Sequence, residues 1–350
     1  MNWSLLLRRR GARLLAMLVA AVGVLLLLWL RGPSWSRVGH SFTDVGWQWV
    51  IASLALNVVS VLMRVLCWRV ILLQALEKVR LRFMTVLSAF AIGLIANAIL
   101  PGRGGEFARV AMLHRKIDRR RGLWPELIGT VIAYRLLDLI PAVLLAGWAV
   151  LATPLPGWAF VSLLTVIIIG TAGFLAGIGI ARRSTPSVIA RSGPVRRWLA
   201  FARQGLTALK SSASGALAGA FQTLGWLCQL LAVWTAMRAF KIDLPLSAAA
   251  LVLVLMNITL ILPLWTGNVG LLQAAVALPL IGYGISYSRG FACGIGIQGI
   301  DASVGVAYGL GFLAREGIGF AILRETRQTA AEKVSSGNDN YDSGSSAGLA

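Results

Sequence analysis

Residues 97–109, Asn-Ala-Ile-Leu-Pro-Gly-Arg-Gly-Gly-Glu-Phe-Ala-Arg, set a proline, glycines, two arginines and a glutamate inside an otherwise apolar stretch. No other feature constrains the chain as much. Hydrocarbon offers no hydrogen bonds to an interrupted backbone, so such a break survives at membrane depth only against protein or a wet cavity. Charge at that depth marks a functional site by default. A related break recurs at residues 262–270, Leu-Pro-Leu-Trp-Thr-Gly-Asn-Val-Gly.

The membrane premise rests on the rest of the chain. It is 57% hydrophobic with a mean hydropathy of +0.77, and several segments approach or exceed the roughly 20 apolar residues that span a bilayer. The net charge of +20 invites a nucleic-acid reading, but the basic residues sit between apolar segments, as the positive-inside rule expects, so no nucleic-acid partner is expected. Cys67, Cys228 and Cys293 lie in apolar stretches without metal-ligand or disulfide spacing and read as packed hydrophobes. Arg8, Arg9 and Arg10 precede the run Leu14 to Leu30 with no small-x-small cleavage site, which reads as a retained signal anchor.

Spans are expected near residues 12–30, 46–72, 127–151, 158–181, 215–237 and 290–313, with interrupted segments at 83–114 and 245–286. The topology turns on the first interruption. If residues 83–100 crossed fully, the cluster Arg115, Lys116, Arg119, Arg120 and Arg121 would lie outside unless 105–114 crossed back. Ten residues make a helix of only about 15 Å against a core of about 30 Å. A re-entrant hairpin entering from the cytosol keeps every basic cluster inside. The second interruption then enters from the opposite face. The expected fold is an all-α polytopic membrane protein with about six full transmembrane helices and two opposed re-entrant helical hairpins in an inverted repeat. Both termini are cytoplasmic, and the outer loops hold only Arg31, Arg37, Arg238, Lys241 and Arg289. The membrane domain covers residues 1–322, with halves at about 46–181 and 215–322. Residues 323–350 are rich in Gly, Ser, Asn and Asp and read as a disordered cytoplasmic tail. The basic segment 191–210, with Trp198, Leu199, Phe201 and Leu206, suits the inner surface against anionic inner-leaflet lipids.

The two halves align. Gly102-x-x-Gly105 matches Gly267-x-x-Gly270, with Asn97 and Pro101 before the first and Asn257 and Pro263 before the second. Arg135-x-x-Asp138 then follows the first and Gln298-x-x-Asp301 the second at similar intervals. Gly/Pro-interrupted segments in corresponding positions of two halves point to a transporter's binding site.

At the first tip, Pro101 ends the entering helix, and Gly102, Gly104 and Gly105 permit the reversal. The returning helix begins near Gly105 with its free amides and positive dipole end facing the tip. Arg103 adds a planar fork suited to phosphate. Glu106 and Arg109 stand one turn apart, and two readings compete: a self-neutralised pair or a ligand pair. Arg135 and Asp138 likewise either hold the bundle together or face a cavity. Asp301 has Gln298 at i−3, so it either pairs with Arg64, accepts a proton or carries coupling. Asn268 and Gln273 near the second tip are polar but uncharged, in keeping with interhelical glue.

The pattern from Asn97 through Leu-Pro-Gly-Arg-x-Gly-Glu to Arg109 resembles the signature of the lysylphosphatidylglycerol synthase transmembrane-domain family, flippase-like membrane proteins of bacteria and archaea. Trp68-Arg69, Arg135-Leu-Leu-Asp138 and Pro263 with Gly267-x-x-Gly270 also match, and the likeness covers about residues 12–320. The departures are Tyr134 where family members often carry Glu, Gln273 at an acidic position and Gln298 where arginine is common. The second half is neutralised relative to the first.

The resemblance implies a lipid translocase of the bacterial inner membrane, not an enzyme, without cofactor or metal. Its substrate would be a lipid with an anionic or polar head group: a phospholipid, a polyprenyl phosphate or a hopanoid-type lipid. The expected binding residues are Asn97, Pro101, Gly102, Arg103, Gly104, Gly105, Glu106, Arg109, Arg135 and Asp138, with Gly267, Asn268, Gly270, Gln273 and Asp301 from the second half. A homodimer is compatible with this reading. Two rivals stand beside it: a non-transporting scaffold of a lipid or envelope pathway, and a lipid-modifying membrane enzyme.

Overall fold

A computed structural model describes residues 33–76, 79, 81–99, 104–117, 123–153, 157–183, 212–261 and 268–315. The expected first span, the segment 191–210 and the tail 323–350 fall outside them. So do Pro101, Gly102 and Arg103 of the first tip and Gly267 of the second.

Every regular element among these residues is a helix: α1 (Trp35–Thr43), α2 (Trp47–Ala75), α3 (Phe83–Ile99), α4 (Gly105–Lys116), α5 (Leu123–Ala152), α6 (Gly157–Arg183), α7 (Ser212–Ala239), α8 (Leu246–Ile261), α9 (Leu271–Ile281) and α10 (Tyr287–Arg315). Four of them, α2, α5, α7 and α10, are long and apolar enough to cross a membrane. At 1.5 Å per residue, helices of this size reach about 40 Å. Their hydrophobic residues surround the axis instead of forming one stripe, as befits helices with lipid on one side and apolar neighbours on the other.

The helix order repeats. A long helix, two shorter ones and a second long helix appear as α2, α3, α4 and α5, then as α7, α8, α9 and α10. Their lengths are 29, 17, 12 and 30 residues in the first half and 28, 16, 11 and 29 in the second. The leading helices α2 and α7 pack along their lengths, and they run antiparallel. The Ser53 hydroxyl donates to the Ala232 carbonyl at 2.7 Å, the Ser60 hydroxyl to the Gly225 carbonyl at 2.8 Å, and the Gln74 amide to the Ser214 hydroxyl at 2.8 Å. Equivalent helices that meet antiparallel relate the halves by inversion. The halves also exchange partners: α3 packs on α10, and α8 packs on α5.

The first pair of short helices is an antiparallel hairpin. The Lys116 ammonium donates to the Ser88 hydroxyl at 2.9 Å, and the Gly105 amide to Asn97 Oδ1 at 2.9 Å. Between them, a Cβ at Gly105 would stand 2.0 Å from the Gly93 carbonyl oxygen, so no other residue fits at this contact. The arms touch backbone to backbone, which is how helices gain packing where lipid gives no hydrophobic drive. In the second half α9 and α10 also meet at the backbone, where Cβ atoms at Gly290 and Gly294 would stand 2.8 Å from the Cα atoms of Ala277 and Gln273.

Two apolar cores result. One joins the 61–76 end of α2 with α3, α4, Leu123 to Leu137 of α5, Ala218 and Val304. The other joins Leu145 to Ala149 of α5, Trp226 to Phe240 of α7, α8, α9 and Phe291 to Ile300 of α10.

Candidate functional site: a polar layer between two apolar cores

On three long helices the change from one core to the other falls at a polar residue. Asp138 lies between Leu137 and Leu145 on α5, Gln222 between Ala218 and Trp226 on α7, and Asp301 between Ile300 and Val304 on α10. Asn57 of α2 sits just before Val61, where the first core begins. A buried carboxylate needs compensating donors, and a buried amide needs a partner. Here they supply each other across the halves. Asp138 Oδ1 accepts from the Gln222 amide and, at 2.9 Å, from the Trp226 indole. Asp301 Oδ1 accepts from the Asn57 amide. Asn57 lies ten residues beyond Trp47, the start of α2, and Gln222 ten residues beyond Ser212, the start of α7. The same link is thus made twice, once in each direction.

The charge is not equal in the two directions. In the first half, Arg135 forms an ion pair with Glu106 of α4 and donates to Asp138 Oδ2 at 3.0 Å. In the second, Gln273 of α9 donates to the Gln298 side chain of α10. An ion pair ties the return arm to the last long helix in one half, and an amide pair does so in the other. The i,i+3 spacing of Arg135 and Asp138 forecasts their contact correctly. The spacing of Glu106 and Arg109 does not: Glu106 turns to Arg135, on another helix.

Arg109 takes a different place. It is buried, with its guanidinium carbon 4.8 Å from the Trp68 ring, 4.9 Å from Tyr134 and 5.4 Å from Phe90. Among the described residues its Nε and Nη2 have no hydrogen-bond partner. Aromatic faces hold the cation by their quadrupoles, and Trp68 is itself anchored by its indole donating to the Thr130 hydroxyl at 3.2 Å. Arg64 donates to Gln229 and lies 5.7 Å from the Trp226 ring. Asp301 therefore bonds Asn57, and the pairing with Arg64 that its position suggests is replaced by the Arg64–Gln229 bond.

The tips use their polar groups internally. The Gly105 amide, expected to face an anion, is capped by Asn97. The Gly270 amide donates to Gln273 Oε1 at 2.6 Å. Gly270 has φ of 91°, a conformation that only glycine enters without strain. The Asn268 amide donates to the Thr259 carbonyl at 2.7 Å, bracing the second break.

Beside the ion pair opens a groove of about 310 Å³ between α4 and α5, lined by apolar side chains such as Phe107, Val110, Ile132 and Leu139, with Glu106 and Arg135 in its wall. Phe107 in its wall is 57% exposed. Pro141 of α5 lies one turn beyond Asp138. Having no N–H, it leaves the Leu137 carbonyl without its helical donor beside the charged cluster.

Sequence reasoning finds Glu106, Arg109, Arg135, Asp138 and Asp301, which the structure places around this layer. It misses Asn57, Gln222, Trp226 and Gln229. For Asn57 and Gln222 the signal was an amide ten residues into each leading helix, a pattern that shows once the two helices are aligned.

Fold and site together define a multi-pass, all-α membrane protein whose halves meet at an internal layer of paired charges and amides. The comparison of sequences names the class: residues 13–309 match the lysylphosphatidylglycerol synthase TM region, and the chain belongs to that family. A UPF0104 membrane protein of Pyrococcus horikoshii is 28% identical over 131 residues, covering 37% of each chain. The match therefore spans well under two thirds of that relative. No solved structure matches the chain.

Proposed function

We propose that this protein moves a lipid with an anionic or polar head group across a bacterial inner membrane. The observation that carries this reading is the α4–α5 groove. Its lining is mostly apolar, and the Glu106–Arg135 pair stands in its wall. Its volume lies at the lower end of small-ligand sites, about 300–1,000 Å³. An acyl chain suits the groove, and a head group suits the charged wall. Arg135 offers a planar donor fork to a phosphate, and Asp138 keeps that fork oriented when Glu106 releases it. Pro101, Gly102, Arg103 and Gly104 of the first tip complete the head-group site in this reading.

Six full spans with two opposed re-entrant hairpins supply the motion. The antiparallel meeting of α2 and α7 and the repeated helix order support an inverted repeat. Such a pair of halves supports rocking around a shared midplane site. Cytoplasmic termini follow from the basic loops between spans.

The test uses purified protein in liposomes with fluorescent head-labelled lipids and a membrane-impermeant quencher. The protein should raise the rate at which inner-leaflet lipid becomes quenchable, and Arg135→Gln should bring it to the protein-free rate. Unchanged movement in Arg135→Gln would remove the site from the reading. A second reading, a non-transporting partner of a lipid pathway, is favoured by the Gln273–Gln298 pair of the second half, which stands where the first half has the Glu106–Arg135 ion pair. It predicts lipid binding without movement.

A further inference from the structure

A second pocket, of about 210 Å³, lies at the end of the bundle where α1, the α7–α8 turn and the start of α10 meet. Arg37, His40, Ser41 and Asp44 line it from α1 and its C-terminus, Phe240 and Lys241 from the turn, and Ser286 and Arg289 from α10. Three always-charged cations from three separate segments converge on one concavity. Among the described residues Arg37, Lys241 and Arg289 form no ion pair, although Asp44 lines the same pocket. The rest of this end pairs its charge: Arg238 meets Asp243 at 3.7 Å. The three cations are exposed, and a concavity that gathers them attracts an anion.

Lys241 also occupies an unusual backbone position. It closes α7 with φ of 57°, and the Ile242 amide bonds the Met237 carbonyl at 3.0 Å, the geometry of a Schellman cap. That position favours glycine because a side chain is strained there. Ser286, just before α10, accepts from the Arg289 amide at 3.4 Å, and the positive end of the α10 dipole lies beside these two pocket residues.

We infer that this pocket binds a phosphate group, with Arg37, Lys241 and Arg289 as its charged ligands and the Ser286 hydroxyl as a neutral one. The group can arrive as free phosphate or on a lipid head at the membrane surface. Its site is separate from the Glu106–Arg135 groove and does not depend on transport.

The test is binding by the full-length protein in uncharged detergent. Calorimetry with inorganic phosphate reads the free source. Native mass spectrometry after exchange with phosphatidylglycerol, against an uncharged glycolipid of equal chain length, reads the lipid source. Saturable binding in either arm supports the pocket and names the source. Lys241→Gly relieves the strained cap, so its Tm should not fall, while affinity should drop at least ten-fold. Arg37→Ala and Arg289→Ala should weaken binding similarly. Asp44→Asn should strengthen it, and Arg135→Gln should leave it as in the parent. Absence of saturable binding in both arms, or parental affinity in Lys241→Gly, overturns the assignment.

Discussion

At the scale of single residues, the charged cluster separates stability from function. A charge left alone at the bilayer centre costs about 2.5–3.5 kcal/mol on insertion scales, and breaking a buried pair from one side costs about 3–5 kcal/mol. Glu106→Gln leaves Arg135 with Asp138 alone and should lower thermal stability in detergent. Adding Arg135→Gln creates the amide pair that Gln273 and Gln298 already form in the other half. The double variant should therefore recover Tm toward the parent, while lipid movement in liposomes stays lost. A double variant no more stable than Glu106→Gln would show that the two halves do not share this link. Arg135 and Asp138 were legible in the sequence because three residues along a helix bring side chains together whatever surrounds them. Gln222 was not legible as the partner of Asp138, nor Asn57 as the partner of Asp301. Each lies on the other half of the chain, and a lone amide in an apolar helix gives no hint of where its bond goes.

At the scale of elements, the first hairpin depends on two contacts that proline and glycine spacing only partly announces. The break was legible because Pro101 and three nearby glycines cannot continue a helix. That the arms pack as closely as Gly93 on Gly105 was not, since glycine at 93 reads equally well as a neutral place in an apolar run. Gly105→Ala would press its methyl carbon to 2.0 Å from the Gly93 carbonyl. Overpacking of this kind costs about 1–3 kcal/mol, and here neither backbone can yield without parting the arms. The variant should lose monodispersity on size-exclusion chromatography in detergent. Asn97→Ala removes the cap of α4 and should cost about 0.5–2 kcal/mol, read as a lower Tm. Asn97→Asp keeps an acceptor in place and should retain much of that stability. Equal losses for Ala and Asp would count against capping as the role of Asn97, and the residue would return to the lipid-binding set in which its sequence position put it.

At the scale of the whole molecule, the inverted arrangement makes a prediction about sides. The Gly46 amide bonds the Ala239 carbonyl at 3.0 Å, which sets the start of α2 beside the end of α7. Gln74 bonds Ser214 and sets the other ends together. In the proposed topology the first end faces outward, with Arg37, Lys241 and Arg289, and the second faces the cytosol. Ser36 and Ser286 are exposed at the first end, and Gln74 and Ala213 at the second. The native Cys67, Cys228 and Cys293 are buried, so cysteines introduced at these four positions can be read over a low background. A membrane-impermeant maleimide applied to intact spheroplasts should label Ser36→Cys and Ser286→Cys, and should reach Gln74→Cys and Ala213→Cys only after the membrane is opened. The pairing within each end is fixed by hydrogen bonds, whereas the side each end faces follows from charge placement. The two outcomes are therefore distinct. Reversal of all four would turn the molecule over and leave the inverted repeat intact. Labelling of Ser36→Cys and Gln74→Cys from one side would mean that α2 does not cross, and no exchange of access between the halves could then carry a head group through the membrane.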